Sequence, residues 1–255
     1  KSLVFLASIP ALRRYPLALF ARGWFQRHQV APLSRWVIRR RVAGVLAVSS
    51  ATGQALASWG VDPARVHVVY NMFDFDTVRA LSAAGLHAPV PHGDRRCRVL
   101  MPAGLLRTKG QHTAIAAAAR LKAAGRDFVM WLAGDTGIGD VTGYPERLRT
   151  QIAAAGLEDH VFMLGWRPDV YALMAAATAV ILPTHTEGFP RAVTEALLLE
   201  KPVVATPVGG VVDVVRDGET GLLVPVEDDA ALADRLLALD DRPEWAAQLA
   251  RQGAA

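Results

Sequence analysis

Residues 97–133 read CRVLMPAGLLRTKGQHTAIAAAARLKAAGRDFVMWLA. Two continuous apolar runs, residues 97–103 and 128–133, stand on either side of a segment with helical spacing, residues 111–124. Continuous apolar runs are typical of strands that are buried on both faces, and a helix between two of them joins parallel neighbours. This stretch therefore predicts a parallel sheet that is covered by helices.

The same alternation of strands and helices continues towards the C-terminus. We predict strands at 160–164, 179–183, 202–205 and 221–224, and helices at 144–155, 168–176, 190–199 and 229–239. Alternation at this spacing is typical of an α/β fold with a doubly wound, Rossmann-like parallel sheet. Ligands of such folds bind beyond the carboxyl ends of the strands, so we expect functional residues in the loops that follow the strands.

The part of the chain before residue 97 contains less sheet. We predict strands at 3–7, 45–48 and 66–69, and helices at 17–41, 52–59 and 77–84. Residues 86–96 combine prolines, a glycine and charges, which is typical of a linker. The predicted organisation is a partial first Rossmann-like domain at 1–70, a linker at 71–96 and a complete second Rossmann-like domain at 97–255.

The composition excludes several classes of protein. Of 255 residues, 52% are hydrophobic and 20% are charged, which excludes a disordered chain. The one cysteine, Cys97, excludes an internal disulfide framework and favours a reducing compartment, so we expect a cytoplasmic location. Residues 42–61 are free of charge over the length of a membrane span, but their polar residues predict a strand and a helix instead.

The charge is distributed unevenly along the chain. Residues 1–61 carry nine Lys or Arg and no Asp or Glu, whereas the remainder is acidic, for a total net charge of +4. Between residues 13 and 41 the arginines alternate with large aromatic residues, which suits peripheral contact with the cytoplasmic face of an anionic membrane. A solvated basic face is the alternative interpretation. No groove-reading motif supports nucleic-acid binding.

The densest group of polar residues is THTEGFPRAVTE at 184–195. Pro190 suits the first residue of a helix, and free N–H groups at Gly188, Phe189 and Arg191 would form a positive pole for phosphate or sugar oxygens. The sequence thus predicts an anion-binding site at this turn.

Two carboxylates, Glu187 and Glu195, flank this predicted helix start. Because like charges repel, they suit hydroxyl groups of a ligand better than its phosphate. The alternative makes Glu195 an i,i+4 partner of Arg191 and makes Glu187 an ordinary turn residue.

Two glycine-containing loops are further candidates. In residues 103–110, Lys109 and Arg107 would project over the edge of the sheet, and Gly104 would let a ligand approach the backbone. The pair Gly209 and Gly210 would form another backbone cradle for an anion. A solvated turn is the alternative for the first loop.

Two remaining patterns concern a nucleobase and a metal. Gly165 and Trp166 follow a predicted strand and could offer backbone groups or a ring to a nucleobase, with packing as the alternative for Trp166. Asp74 and Asp76 match a metal-binding pattern, but their place before a helix favours capping. The seven histidines lack zinc-type spacing, so no metal site is predicted. A dehydrogenase is disfavoured because residues 134–139 do not match the dinucleotide fingerprint.

Taken in chain order, these motifs resemble the retaining glycosyltransferases of family 4, which have the GT-B architecture of two Rossmann-like domains facing a cleft. The segments that carry the resemblance, in addition to weaker likeness at 44–50 and 65–71, are Lys109-Gly110, Glu187-Gly-Phe-Pro-(x)4-Glu195-Ala196, residues 201–205, Gly209-Gly210 and residues 217–224.

The resemblance implies a metal-independent enzyme without a cofactor, which moves a sugar from a UDP- or GDP-linked donor to a lipid-linked or saccharide acceptor. In it, Glu195 would bind the ribose hydroxyls, Glu187 the sugar hydroxyls and Lys109 the pyrophosphate, while the backbone of Gly188 and Phe189 would steady the transferred group. Glu187 and Lys109 would be the catalytic residues.

The chain also departs from the family pattern. Gly104 stands where the family usually has an arginine, a role that Arg107 would have to fill, and Asp213 replaces a usual glutamate. Much of a first domain, including its glycine-rich loop, has no counterpart in residues 1–70. A second hypothesis is therefore a module that binds a nucleotide diphosphate without catalysis.

Overall fold

The computed structural model describes residues 16–23, 30–136 and 143–254. The first part forms a three-stranded parallel sheet in the order β1-β2-β3, with helices at its flanks. Its elements are β1 (Leu17–Ala21), α1 (Pro32–Arg41), β2 (Val42–Ala47), α2 (Ser50–Ser58), β3 (Val66–Val68) and α3 (Phe75–Ala83).

The second part forms a six-stranded parallel sheet in the order β6-β5-β4-β7-β8-β9. Its elements are β4 (Cys97–Pro102), α4 (Gln111–Ala123), β5 (Phe128–Ala133), α5 (Tyr144–Ala154), β6 (Val161–Gly165), α6 (Val170–Ala176), β7 (Ala179–Leu182), α7 (Arg191–Leu198), β8 (Val203–Ala205), β9 (Leu222–Leu223), α8 (Asp229–Asp241) and α9 (Pro243–Ala254). The α/β doubly wound fold that the strand–helix alternation predicts is confirmed.

The six predicted strands of this sheet are confirmed because their side chains are apolar enough to be covered on both faces. All residues of β5 are buried. Along β4, Val99 and Met101 pack into the core layer beside α4, while Leu100 packs with Trp131 on the opposite face. The last helix, α9, was not predicted. It buries only Ala246, Leu249 and Ala250, and an apolar pattern of three positions is too short to indicate a helix.

The predicted helix at 17–41 is wrong at its beginning. Residues 17–21 form β1, which pairs in parallel with β2, while helix α1 begins at Pro32. The sequence LALFA has good helix propensity, but pairing with a neighbouring strand overrides a weak local preference. The predicted strand at 3–7 and the middle of the predicted helix, residues 24–29, lie outside the described residues.

The order of the strands positions the loops. From β4 the chain continues to β5 and β6 on one side of the sheet, and then to β7, β8 and β9 on the other side. The loops after β4 and β7 therefore diverge at the point where the winding direction reverses. In open parallel sheets this crevice is where ligands bind.

The two sheets meet beside these loops. Ser50, at the start of α2, donates to the carboxylate of Asp213 from its backbone N–H (2.7 Å) and from its hydroxyl. A Cβ at Gly188 would overlap the carbonyl oxygen of Arg22, so the loop after β7 lies directly against the end of β1.

The segment that joins the sheets is fastened to the second one. Its backbone N–H at His87 donates to Asp169 (2.7 Å), and its carbonyl at Pro91 accepts from the indole of Trp131 (3.0 Å). The interpretation of residues 43–48 and 52–59 as strand and helix is confirmed by β2 and α2. Within the described ranges, no helix has both the length and the apolar character that crossing a bilayer requires.

Candidate functional site

The structure brings Lys109 and Glu187 together at the crevice between β4 and β7. Lys109 ends a short 3-10 helix after β4, and its Nζ lies 2.7 Å from Oε2 of Glu187, in the loop after β7. Both side chains are mostly covered, with 23% and 16% exposed. The two loops are also joined through the carbonyl of Thr108, which accepts from the backbone N–H of His185 (2.8 Å) and from the hydroxyl of Thr184 (2.9 Å).

A glycine makes this contact between the loops possible. Gly110 has a φ of +82°, and a Cβ there would overlap the carbonyl oxygen of Pro183. Any other residue would be strained in this backbone conformation and would push the loop after β7 away. The Lys109–Glu187 pair therefore depends on the absence of a side chain at position 110.

At the same carboxyl edge of the sheet as this pair lies a cleft of about 350 Å³, beyond the ends of β4 and β5, whose lining does not include Lys109 or Glu187. Its lining combines polar and aromatic side chains with open backbone. Three of the predicted site residues line it, namely Gly104, Trp166 and Glu195, together with Arg191. Arg167 and Tyr171, which the sequence did not single out, line it as well. Trp166 is 72% exposed, so the interpretation of its ring as core packing is wrong.

Glu195 is held at the wall of this cleft by α7 and is only 7% exposed. Its Oε1 accepts from the phenol of Tyr171 and from Nη2 of Arg191, both at 3.1 Å. Burial raises the pKa of Glu195, and the charge of Arg191 and the Tyr171 hydrogen bond oppose this rise. The alternative of an i,i+4 pair with Arg191 is thus correct, and the same carboxylate also faces the cleft.

The start of α7 offers fewer free N–H groups to an anion than the sequence predicts. The helix begins at Arg191 rather than Pro190, and the N–H of Arg191 donates to the carbonyl of Phe189 (3.0 Å). This N–H is therefore not available to an anion, because the tight turn at Pro190 uses it internally. Phe189 itself is buried, and its ring centroid lies 5.7 Å from that of Tyr70 and 6.0 Å from that of Phe73.

The glycine pair packs against the loop that carries Glu187. Gly209 has a φ of +53°, and a Cβ there would overlap the carbonyl oxygen of Glu187. The N–H of Gly210 donates to the same carbonyl (3.3 Å), and a Cβ at this position would lie 2.8 Å from the Cβ of Ser49. These contacts give the pair a packing role that positions Glu187, which the sequence did not indicate.

Three other residues that the sequence singles out, Arg107, Gly165 and Asp74, do not line this cleft. Nη2 of Arg107 is 3.9 Å from Glu227, and its side chain is 67% exposed. Gly165 lines a neighbouring cavity with Leu105 and Asp135. Asp74 caps α3 by accepting from the N–H (3.0 Å) and the hydroxyl (2.6 Å) of Thr77, which holds its pKa below the usual range. The capping interpretation is confirmed.

A cluster that sequence reasoning missed lies behind the 3-10 helix of Lys109. His112 at the start of α4, His185 after β7 and Glu227 before α8 place their side-chain tips together. Burial lowers the pKa of His112, and the positive charge of Arg107 acts in the same direction. The three residues lie far apart in the chain, so no spacing motif could have indicated the cluster.

Comparison with known proteins assigns the family. The family described as "Glycosyl transferases group 1" matches residues 86–255, and "Glycosyltransferase Family 4" matches residues 3–77. The chain belongs to the group 1 glycosyltransferases. Its second sheet, with the cleft and the Lys109–Glu187 pair, lies within the group 1 match.

Two curated relatives are enzymes named for bacterial surface polysaccharides. The putative colanic acid biosynthesis glycosyltransferase WcaL of Salmonella typhimurium is 33% identical over 207 residues, 77% of this chain and 47% of that protein. The lipopolysaccharide core biosynthesis mannosyltransferase LpcC of Rhizobium leguminosarum is 28% identical over 232 residues, 87% of this chain and 60% of that protein. The chain thus spans about half the length of the curated relatives that it matches.

A solved structure resembles nearly the whole chain. Anabaena Alr3699/HepE in complex with UDP and glucose superposes with a TM-score of 0.85 and 27% identity, covering 99% of this chain and 69% of that one. The fold of this glycosyltransferase chain is α/β and GT-B-like, with two parallel sheets.

Proposed function

We propose that the protein is a retaining glycosyltransferase that moves a sugar from a nucleotide-diphosphate sugar to a lipid-linked or polysaccharide acceptor without a metal ion. The observation that carries this proposal is the Lys109–Glu187 pair at the same carboxyl edge of the sheet as the cleft that Glu195 lines. The UDP and glucose of the HepE complex, and the colanic acid pathway named for WcaL, support the choice of donor and acceptor class.

The cleft suits the nucleoside of the donor. The exposed ring of Trp166 stacks with the base, and Oε2 of Glu195 accepts from the ribose hydroxyls while Oε1 stays with Tyr171 and Arg191. Arg191 opposes the rise in the pKa of Glu195 that burial causes, and in its ionised form the carboxylate accepts hydrogen bonds from a diol.

The Lys109–Glu187 pair suits the reacting end of the donor. Lys109 contacts the pyrophosphate as a positive charge, and Glu187 accepts from the hydroxyls of the sugar. The backbone of Gly188 and Phe189 steadies the transferred group. During transfer the bond between the anomeric carbon and the phosphate oxygen breaks, and the acceptor oxygen bonds on the same face. The acceptor proton moves to the leaving phosphate, whose growing charge Lys109 stabilises.

The donor chemistry needs no metal ion because Lys109 supplies the positive charge that a bridging cation would otherwise supply. We expect transfer to continue after chelation with EDTA, at a temperature where the protein stays folded. Loss of transfer in EDTA and its recovery with Mg²⁺ or Mn²⁺ would contradict metal independence.

The central test is incubation with UDP- and GDP-sugars in the presence of polysaccharide and lipid-linked acceptors. We expect Glu195→Ala to abolish donor binding, and Lys109→Ala to weaken it by about 1–3 kcal/mol, the range for a charge-assisted hydrogen bond. Glu219→Ala, at an exposed surface pair with Arg216, is the matched control. Unchanged affinity in both site variants would overturn the assignment, and proton NMR of the product would show whether the anomeric configuration is retained.

A second candidate function is donor binding without catalysis. The presence of Gly104 in the cleft, where the family usually has an arginine, favours it, since the guanidinium of Arg107 lies instead near Glu227. Calorimetry that shows nucleotide affinity with no turnover on any acceptor would support this candidate, and measurable transfer would exclude it.

Peripheral attachment at the cytoplasmic face of a membrane also belongs to this proposal. On α1, Leu33 and Trp36 are more than half exposed, and the same helix carries Arg39 and Arg40. An apolar pair among arginines inserts at the headgroup level of anionic lipid. Sedimentation with phosphatidylglycerol vesicles should fall for Trp36→Ser but not for Leu81→Ser on α3. Equal sedimentation of both variants and the native protein would contradict membrane attachment through α1.

A further inference from the structure

Three side chains lie together next to the 3-10 helix that Lys109 ends. The proposed reaction does not use them. Oε1 of Glu227 lies 3.7 Å from Nε2 of His112 and 3.7 Å from Nε2 of His185. The ligand atoms of all three residues lie within 4.8 Å of one another. Each comes from a different element: α4, the loop after β7, and the turn before α8.

The two imidazoles present buried nitrogen atoms without a partner. Among the described residues, Nε2 of His112 and Nε2 of His185 are both buried and have no hydrogen-bond partner. A buried polar atom that is left unsatisfied costs about 1–3 kcal/mol, so two of them facing one carboxylate are unfavourable. A cation placed between them would satisfy both nitrogen atoms and the carboxylate together.

The spacing suits a tetrahedral cation. With metal–ligand bonds of about 2.0–2.1 Å, two ligands of a tetrahedral zinc ion lie about 3.4 Å apart. The two separations of 3.7 Å therefore need only a small contraction, and the two imidazoles, whose ligand atoms lie within 4.8 Å of each other, must approach by up to about 1.4 Å.

We propose that His112, His185 and Glu227 bind a divalent transition-metal ion, of which Zn²⁺ is the probe. Two imidazoles and one carboxylate are ligands that Zn²⁺ accepts, and three protein ligands leave a position for water. The proposal does not rest on the glycosyltransferase reaction, because its three ligands are separate from Lys109, Glu187 and Glu195.

A neighbouring hydroxyl orients the first imidazole. Nδ1 of His112 lies 2.9 Å from the phenol oxygen of Tyr144. In the tautomer that binds a metal through Nε2, the proton on Nδ1 donates to this oxygen, and the lone pair on Nε2 is directed at Glu227 and His185. Metal-binding histidines are commonly oriented in this way by a partner on their second nitrogen.

The backbone of the third ligand is unusual. Glu227 has a φ of +61°, a left-handed conformation that residues other than glycine rarely adopt. Strained positions of this kind persist where the surroundings hold them, and they occur often at ligand sites. In this conformation the carboxylate of Glu227 lies 3.7 Å from Nε2 of both imidazoles.

The ion would join three segments of the second sheet, so its effect is structural. It also competes with Arg107, whose Nη2 lies 3.9 Å from the same Oε1 of Glu227. Removal of this guanidinium takes a positive charge from the site and should strengthen metal binding.

Titration of the tag-free, EDTA-treated protein with Zn²⁺ by calorimetry tests the proposal. We expect one ion per chain and a rise in the midpoint of thermal unfolding. His112→Gln, His185→Gln and Glu227→Gln should each lower the affinity by at least about tenfold, the smallest effect known for groups that only orient a ligand. His67→Gln and Glu146→Gln replace exposed residues of the same types outside the cluster and should leave the affinity unchanged.

Two further measurements distinguish binding at this site from binding at the protein surface and from a loss of affinity through misfolding. Co²⁺ should give the visible absorption of a tetrahedral complex, and Arg107→Ala should bind Zn²⁺ more tightly than the native protein. The proposal is overturned if Zn²⁺ does not bind below millimolar concentration, if the exposed controls lose affinity as much as the cluster variants, or if Arg107→Ala weakens binding.

Discussion

The carboxyl group of Glu195 lies at a wall of the cleft, and its residue is only 7% exposed to solvent. Burial raises its pKa, and Arg191 and Tyr171 lower it. A protonated carboxyl group loses acceptor capacity for the ribose hydroxyls, so nucleotide binding should weaken as the pH falls through this raised pKa.

The Tyr171→Phe variant tests this dependence. Without the phenol hydrogen bond the pKa of Glu195 rises further, and the midpoint for loss of nucleotide affinity should move to higher pH than in the native protein. Calorimetry with one nucleoside diphosphate over a pH series measures the difference, since the phosphate titrates identically in both proteins. A midpoint that stays in place or moves to lower pH would contradict the role of Tyr171.

Asp169 is a second buried carboxylate, and it contributes to the stability of the folded state. Arg167 pairs with it at 2.6 Å, and that hydrogen bond, together with the N–H of His87, holds the pKa of Asp169 below its usual range. A lowered carboxyl pKa stabilises the folded state above the pKa of the unfolded chain, about 4, and this contribution is lost as the pH falls below it.

Asp169→Asn should therefore lower the free energy of unfolding at neutral pH by about 3 kcal/mol, because it leaves the covered guanidinium of Arg167 unpaired. Urea unfolding measures the change. Asp241→Asn breaks an exposed pair with Arg126 and should cost about 1 kcal/mol or less. Equal losses in the two variants would mean that Asp169 is not an anchor of the joining segment.

At the scale of elements, the glycine pair after β8 determines where the loop of Glu187 lies. Gly209→Ala adds a Cβ that would overlap the carbonyl oxygen of Glu187 at a positive φ, so the loop must move. We expect a lower midpoint of thermal unfolding and weaker nucleotide binding, because the displaced Glu187 loses Lys109.

Gly44→Ala is the matched control for this prediction, since nothing lies within 4 Å of its Cβ and its φ is not positive. It should change neither property. If Gly209→Ala binds nucleotide as tightly as the native protein, the packing of the glycine pair does not position Glu187.

The elements of the second sheet could be predicted almost completely, because each strand is a continuous apolar run between helices. β1 could not, since LALFA is compatible with a helix and becomes a strand only through its pairing with β2. The loops of Lys109, Glu187 and Glu195 could be predicted as candidates from their place after strands. The loss of the free N–H expected at Arg191 could not be predicted, because it depends on the tight turn at Pro190, in which this N–H donates to the carbonyl of Phe189.

At the scale of the whole molecule, Asp213 joins the two sheets through Ser50 at the start of α2. A double-mutant cycle of Ser50→Ala and Asp213→Ala should give a coupling energy of about 1 kcal/mol in urea unfolding. Ser58→Ala with Asp213→Ala is the control, because Ser58 lies on the same helix and bonds to Ala55. Additive effects in both cycles would show that the bond from the Ser50 hydroxyl contributes nothing to the contact between the sheets, since the alanine variant keeps the bond from the backbone N–H.

The sequence by itself determined the parallel α/β architecture, the family and the loops in which Lys109, Glu187 and Glu195 lie. These follow from local patterns, since apolar runs, helix periodicity and short motifs are complete within a few neighbouring residues. The tertiary structure alone decided the pairing of β1, the packing of Gly209 on Glu187, and the cluster of His112, His185 and Glu227. Each of these depends on which distant segments of the chain meet in the folded protein, and no local pattern of the sequence encodes that meeting.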